Sequence, residues 1–575
     1  MQRGRFLGIL KILSVGLASL LLSGAAGVSG APDGGITVSP TTLSFGTVPL
    51  NTTTPAQVVT VTNTGTTDIT FNSITPSGDY AKSGNCPKKP AVLSAGSSCT
   101  MNIKFTPTAN GIRSGTLTFN DTDPTSPQVV SLTGNGLGPG IIGGPLAGLT
   151  TDQNNAFNTG FAYFNVKWDP TKGLGPVFTQ AGCFTCHGSG ISAPMGVSGD
   201  ASTVTGTRYG KWDDPPNDTI FDYLDGKDTY APLQKDEGGP IVHGISVSSI
   251  SGRIHNCNAV AEVVPPDATV VGILRSPALF GDGLIDSIPE STILQRSGVD
   301  QGMGVMGYAN WVPDQNGVLH VGRFGQKGQF PNLLHFTLGA MFNELGITDP
   351  VKTSFQDFTV NHNPGGMPFT QGCNPDAGNP IEDIMNGVQG INSVQMYQFE
   401  ALLAPVPTSG SGNIKSMQTG KSAFETVGCP LCHVESMQTD PAATVYTSWD
   451  QSTNMGVVAS LANQTVNLYS DLLIHTMSAQ LAGGIPTLEG VSCDPLSVVP
   501  PTIACLQQWR TAPLWGLSHR RKFGLLHDLR TTDLDTAIRA HGDQPGDGEA
   551  WQVIQAYEAL SPGDQKNLWS FLGSL

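Results

Sequence analysis

The 575 residues are only 13% charged, include 71 glycines and 41 prolines, and carry a net charge of −16. At about 150 residues per domain this is a chain of three or four folded units, rich in loops but too apolar to be a disordered polymer. The acidic balance argues against a nucleic-acid interface and against a basic membrane-docking face, and it leaves the substrate open.

Residues 1–30 carry Arg3, Arg5 and Lys11, then an apolar run ending at Leu20-Leu-Leu-Ser23, then small residues from Gly24 to Gly30. That order predicts a secretory signal peptide cut near Gly30 or Ala31. The apolar run is short for an anchoring helix, and no later segment is long and apolar enough to span a bilayer. The expected location is periplasmic, cell-surface or secreted, in a bacterium.

From residue 31 to 137 the composition turns to Thr, Ser, Val and Asn. Stretches such as Gln57-Val-Val-Thr-Val-Thr62 and Thr116-Leu-Thr-Phe119 alternate polar and apolar residues as half-buried strands do, with turn signals at Asn63-Thr-Gly65 and Asn110-Gly111. The pattern predicts an all-β sandwich of about seven strands. Leu43-Ser-Phe-Gly46, Val61-Thr-Asn-Thr-Gly65, Phe105-Thr-Pro107 and Leu132-Thr-Gly-Asn-Gly136 give it a resemblance to the immunoglobulin-like module of choice-of-anchor D and ASH-type proteins. It holds no catalytic cluster, so its expected role is that of a spacer or of a contact with an envelope or polymer. Residues 138–148 read as a Gly/Pro linker.

Beyond the linker stand two pentads, Cys183-Phe-Thr-Cys186-His187 and Cys429-Pro-Leu-Cys432-His433. Each is the Cys-x-x-Cys-His sequence that attaches a c-type haem. Two thiols at this spacing can form thioethers to the two vinyl groups of one porphyrin, and the following imidazole lies where it can ligate iron. A zinc ribbon would need its second Cys pair about 15–20 residues on, and the two pairs here are far more distant. The sequence therefore predicts two covalent haems with His187 and His433 as proximal ligands, in domains spanning residues 149–405 and 406–575. The other six cysteines, Cys86, Cys99, Cys257, Cys373, Cys493 and Cys505, suit an oxidising compartment. The short loops 86–99 and 493–505 are the preferred bridges, leaving 257–373.

Further segments carry a second resemblance. Leu274-Arg-Ser-Pro-Ala-Leu-Phe-Gly281, Gly322-Arg-Phe-Gly-Gln-Lys327, Gly339-Ala-Met-Phe-Asn-Glu-Leu-Gly346, Tyr469-Ser-Asp-Leu-Leu-Ile-His475 and Leu525-Leu-His-Asp528 follow one another as in the dihaem oxidoreductase family, described as thiol oxidoreductases or peroxidases and similar to bacterial dihaem cytochrome c peroxidases. The resemblance spans residues 149–575 and implies two mainly α cytochrome c-type haem domains with long loops.

It also implies unequal irons. Leu534, Ala537, Ile538 and His541 share one helical face, started by a capping box at Thr532-x-x-Asp535, and His541 stands where relatives carry the distal ligand of the C-terminal haem. His475 is the rival ligand. His527 is expected to orient a loop or a propionate, and His519, Arg510, Arg520 and Arg521 are candidates to pair propionates. In the matching turn Leu529 replaces the usual Gly. For an open N-terminal haem the resemblance points to Arg323, Gln326, His335 and Glu344, with Glu344 as the acid–base group. Gln326 replaces a tryptophan that lies between the haems in relatives, so another aromatic, such as Trp515, has to bridge them or their coupling is weaker.

The expected activity is that of an exported dihaem peroxidase-like oxidoreductase. Its electron donor would be a small redox protein or quinol-linked, its acceptor peroxide or another small oxidant. The alternatives are a non-catalytic dihaem electron carrier and a secreted dihaem oxygenase. Calcium between the haems is left open.

Overall fold

The structure, a computed structural model, describes residues 35–138, 142–169, 174–175, 177–187, 205–210, 244–246, 270–347, 393–406, 413–483, 507–542 and 544–575. The leader and the remaining cysteines Cys257, Cys373, Cys493 and Cys505 lie outside the described residues.

Eight strands build the N-terminal unit: β1 (Ile36–Ser39), β2 (Thr42–Pro49), β3 (Gln57–Asn63), β4 (Phe71–Pro76), β5 (Tyr80–Gly84), β6 (Ser98–Phe105), β7 (Gly111–Asp121) and β8 (Gln128–Leu137). They form two four-stranded sheets, ordered β1-β3-β6-β5 and β2-β8-β7-β4. All neighbours are antiparallel except β2 and β8, which run parallel. The alternation read from the sequence is the burial pattern seen: Val59, Val61, Leu117 and Phe119 are fully buried between the sheets. At the turn after β3, Asn63 accepts the Gly65 amide and donates to the carbonyls of Thr67 and Leu93. The expected Cys86–Cys99 bridge is formed, and both cysteines belong to the core of this sandwich.

The linker prediction holds only in part. Pro145 bridges Leu403, the Leu146 amide donates to the Leu402 carbonyl, and the Ala404 amide donates to the Gly144 carbonyl. Leu146 is buried, so this end of the linker is a docked strand whose backbone polar groups are paired, as burial demands.

The rest of the chain mixes helices with short ribbons. The helices are α1 (Thr151–Phe164), α2 (Cys183–His187), α3 (Asp282–Asp286), α4 (Glu290–Leu294), α5 (Leu333–Leu345), α6 (Ser393–Ala401), α7 (Ile414–Val427), α8 (Leu517–Arg520), α9 (Leu534–Arg539), α10 (Trp551–Glu558) and α11 (Pro562–Leu572). Between them lie two-stranded antiparallel ribbons, among them Asn310–Pro313 with Leu319–Gly322 and Ile474–Thr476 with Gln508–Arg510. Mainly α domains were expected, and the described residues of this region carry both helices and short strands. One large apolar cluster joins Phe157, Leu279, Phe342 and Tyr397 to Val445, Leu468 and Leu473, crossing the expected boundary at residue 405. A smaller cluster of Phe424, Val427, Leu534, Ala537, Tyr557 and Phe571 closes the C-terminal end.

Because the Cys86–Cys99 bridge closes a 13-residue separation inside the sandwich core, removing it should cost that unit about 2–4 kcal/mol. Chemical denaturation of the Cys86→Ser, Cys99→Ser double variant should show an earlier sandwich transition. An unchanged midpoint would contradict this reading.

Candidate functional site

Two open clefts lie side by side in the α+β region. The smaller encloses about 1340 Å³ of empty space, mouth included, and is lined by Cys183, Cys186 and His187. The larger encloses about 2010 Å³ and is lined by Cys429, Cys432 and His433. Arg275, Pro277, Gly325, Gln326 and Phe336 line both, so these five residues form a shared partition. None of the four pentad cysteines is in a disulfide.

Local sequence sets each pentad at its cleft. Asn413 caps α7 by accepting the Lys415 and Ser416 amides. The helix ends at Gly428, whose φ of 98° suits a residue without a side chain. The chain then tightens into one 3-10 turn over Cys429–Leu431, and the His433 amide donates to the Cys429 carbonyl.

Both pentad imidazoles are suited to a metal. Burial lowers the His433 pKa to about 4, against the effect of the Tyr469 carbonyl. That carbonyl accepts from Nδ1 at 3.0 Å, which leaves Nε2 with its lone pair, the arrangement usual for metal-ligating histidines. His187 is also lowered to about 4 by burial, with the Pro277 carbonyl acting the other way. Its Nδ1 is nonetheless buried without a hydrogen bond of normal geometry.

The face expected around His541 is present: Leu534, Ala537, Ile538 and His541 all line the larger cleft. The cap differs by one residue, because Asp533, not Thr532, accepts the Thr536 amide. Asp535 instead takes hydrogen bonds from Arg539 and Tyr557. His541 sits just beyond α9. Its Nδ1 lies 2.8 Å from the Ala537 carbonyl, and burial lowers its pKa. The free Nε2 matches that of His433 in the same cleft.

His475 differs. It is 2% exposed, with Nε2 2.9 Å from Asp471 Oδ2 and Nδ1 2.8 Å from Glu549 Oε2. Burial opposes its charge, but hydrogen bonds to Asp471, Cys432 and Glu549 outweigh it and raise the pKa well above 6.5. With both nitrogens committed, this imidazolium has no lone pair for iron, and the reading of His475 as a ligand is set aside on that ground.

Cation placement also departs from expectation. Arg323 is 5% exposed and spends Nη1 on the carbonyls of Ile285, Asp286 and Ile288. It lines the larger cleft and not the smaller, so the guanidinium is a clamp on α3 and α4 rather than a group facing the His187 cleft. Gln326 is on the partition, but its Nε2 donates to the Arg275 carbonyl at 2.6 Å. Its carboxamide braces the wall and is not free for chemistry. His335 is 1% exposed and lines neither cleft. Glu344 does line the smaller cleft, where Thr179 Oγ1 donates to its carboxylate.

Sequence reasoning missed two residues. Glu400 lines the smaller cleft, and burial pushes its carboxyl up to about 7. Its only sequence signal was a lone carboxylate in the apolar run Phe399-Glu-Ala-Leu-Leu403. Phe336 is the aromatic on the partition, packed against Phe324 and Phe330 at 6.0 and 5.5 Å. Trp515 lines the larger cleft alone.

The fit to haem rests on the donor set. Arg275, Arg510 and Arg520 line the larger cleft, and burial brings their pKa values to about 10, about 10 and about 9. Among the described residues they bond carbonyl oxygens, of Gly524, Gly325, Thr511 and Pro513, and form no ion pair within 4 Å. Asp282 faces Arg510 and Arg520, and Asp471 faces Arg510, but none lies at ion-pair distance, so the positive charge around this cleft is only partly balanced. Two porphyrin propionates would supply the missing charge. His527 is stacked on Trp509 at 4.1 Å in the same cleft. Leu529 adopts φ 61°, a left-handed geometry that favours glycine. Among the described residues no group of three or more His, Cys, Asp and Glu side chains could cage a metal ion by itself.

A β-sandwich joined to a region with two thiol- and imidazole-lined clefts defines a modular redox protein. A family profile, "Di-haem oxidoreductase, putative peroxidase", matches residues 255–575, more than half of the chain, and the protein belongs to that family. The match begins after Cys183–His187, and includes the second pentad. Residues 35–129 match the ASH domain (Abnormal spindle-like microcephaly-assoc'd, ASPM-SPD-2-Hydin). No curated protein matches. Among solved structures, the ASH / PapD-like domain of human CEP192 is 12% identical, covers 21% of this chain and 99% of its own, with a TM-score of 0.16. The secreted serine protease VesC from Vibrio cholerae is 16% identical, covers 23% of this chain and 27% of its own, also with a TM-score of 0.16.

Two outcomes follow. Leu529→Gly should raise stability by about 1 kcal/mol by relieving the left-handed leucine, read as a higher Tm; a lower Tm would refute the strain. Glu549→Gln should destabilise by about 3 kcal/mol at pH 6. Because the native His475 pKa is raised, its contribution is full below about 6.5 and is lost as pH climbs through the native value. Denaturation at pH 6 and pH 9 should therefore show a smaller penalty at the higher pH.

Proposed function

We propose that the protein is an exported c-type dihaem peroxidase-like oxidoreductase, in which electrons enter at the His433 cleft and peroxide is reduced at the His187 cleft. The observation that carries this reading is the inequality of the clefts. The larger presents two neutral imidazoles, His433 and His541, each with its Nε2 free. In the smaller, His187 is the single imidazole among the described lining residues, accompanied by Glu344 and Glu400. When bound, two porphyrin irons supply electron storage and reductive cleavage of the O–O bond.

The chain's own residues then have separate tasks. Cys183 with Cys186, and Cys429 with Cys432, anchor one haem each as thioethers. His187, His433 and His541 offer lone pairs to iron because burial keeps them neutral. Arg275, Arg510 and Arg520 neutralise carboxylates. Reduction of one hydrogen peroxide to two waters takes two electrons and two protons, and a carboxyl that burial pushes up to about 7, as at Glu400, is suited to move a proton at the distal oxygen. Glu344 and Glu400 are the acids within that cleft. The donor is a small redox protein or is quinol-linked, and the sandwich provides an envelope or polymer contact. A leader-like N-terminus and the Cys86–Cys99 bridge support export to an oxidising compartment. No helix among the described residues is long and apolar enough to cross a membrane.

A pure carrier would require a second strong ligand at the His187 cleft, where the described alternatives are the thioethers of Met341 and Met396. Electron paramagnetic resonance of the oxidised holoprotein should show one high-spin and one bis-imidazole low-spin ferric centre. His541→Ala should convert the low-spin signal to high spin and leave the other unchanged. Two low-spin centres in the parent would exclude catalysis at the His187 cleft.

A further inference from the structure

Two enclosed carboxyl groups flank the partition. Asp282 opens α3, is 7% exposed and lines the larger cleft. Glu400 lies near the end of α6, is 6% exposed and lines the smaller. Their helices cross at the adjacent residues. A methyl group on Gly283 would lie 1.8 Å from the Ala401 carbonyl oxygen, so only glycine permits this approach. Neither carboxyl has an ion pair within 4 Å among the described residues, where such a buried charge would normally be paired.

The Glu400 contact has two proton states built into it. Thr337 Oγ1 is 2.5 Å from Glu400 Oε2 and 2.9 Å from the Leu333 carbonyl oxygen. A hydroxyl has one hydrogen. When that hydrogen serves the Leu333 carbonyl, Glu400 must be protonated and donate to Thr337. When Glu400 is ionised, the hydroxyl turns and donates to it. The rotation exchanges one neighbour for the other without moving a heavy atom.

We propose that Glu400 and Asp282 hold a shared proton store in the partition, filled when an electron arrives in either cleft and emptied when it leaves. One electron from a one-electron donor is balanced by one proton from water, which converts a carboxylate to a carboxylic acid, so the net charge of the enclosed wall is unchanged. The surroundings favour this. Asp282 faces the Arg510 and Arg520 charges as well as those of Glu400 and its helix neighbour Asp286; burial and the two carboxylates raise its pKa while the two guanidinium groups lower it. Glu400 faces Thr337 of α5 and Cys183 of α2. Burial places Glu400 at about 7 and Asp282 well above the ordinary carboxylate range, so one proton is exchanged near neutrality.

The inference rests on the dihaem reading, and its test is run on holoprotein whose two haems have been counted, so that its failure leaves that reading standing. Spectroelectrochemical titration from pH 5.5 to 8.5 should show a midpoint potential falling tenfold in equilibrium constant per pH unit near neutrality, about 59 mV for one electron. Glu400→Gln should flatten that slope near pH 7, and Asp282→Asn should flatten it at the alkaline end only. Independently of any variant, reduced-minus-oxidised infrared spectra of the parent at pH 7 should gain a protonated carboxyl band. A pH-independent midpoint, a slope unaltered by Glu400→Gln, or no carboxyl band on reduction would each overturn the proposal.

Discussion

Three arginines around the larger cleft, held on backbone carbonyls and without an ion pair within 4 Å among the described residues, are the constraint on which its wall depends. Arg510 holds the partition as well as carrying charge: its Nε donates to the Gly325 carbonyl and its amide to that of Gln326. Gln326 in turn braces Arg275, whose amide donates to the His527 carbonyl. The groups awaiting counter-charge are therefore the groups that position the wall. An anion entering the larger cleft would relieve a cost of several kcal/mol per charge at the residues that separate the two sites. Filling the cleft would then also help fix the partition, the way binding free energy becomes folding free energy in proteins whose sites are built around a prosthetic group.

The histidines show how one side chain is sorted into different tasks by its partners. His433 and His541 each face a backbone carbonyl through Nδ1, and burial lowers both. A carbonyl can only accept, so it fixes the tautomer and leaves the second nitrogen unprotonated. His475, in the same region, meets a carboxylate at each nitrogen and is raised instead. The difference is one of hydrogen-bond chemistry rather than of burial, since all are enclosed. Cys432 lies 3.6 Å from His475 Nδ1, so the imidazolium and its two acids hold the second pentad from behind while His433 faces the cleft.

Much of this was legible in the sequence where the signal is local. The strand alternation of the sandwich, the Cys86–Cys99 loop and the apolar face ending in His541 all follow from spacing within a dozen residues. The parts that were not legible are decided across the chain. Arg323 resembles a cleft residue by position, yet three carbonyls from residues 285–288 capture its guanidinium. Glu400 is an ordinary acid until α3 and α5 close over it. Ribbons as short as Met437–Gln438 with Thr465–Val466 are too brief for any period to be read in the sequence. The docking of residues 144–146 on 402–404 depends on a partner some 250 residues away, beyond any compositional signal of a linker.

The replacement of a tryptophan by Gln326 would suggest a weakened link between the clefts if one position had to supply the aromatic. The partition shows a different allocation. Phe336 projects from α5 into the wall shared by both clefts, with Phe324 on the larger side and Phe330 on the smaller. The stacked pair at 6.0 Å and the edge contact at 5.5 Å make the three rings continuous. Gln326 ties the wall to Arg275 by donating its carboxamide N–H to the Arg275 carbonyl. The two requirements on this wall, apolar continuity and backbone anchorage, are thus met by different residues ten positions apart. A departure at one motif position is therefore judged by what fills the same space, and here α5 fills it.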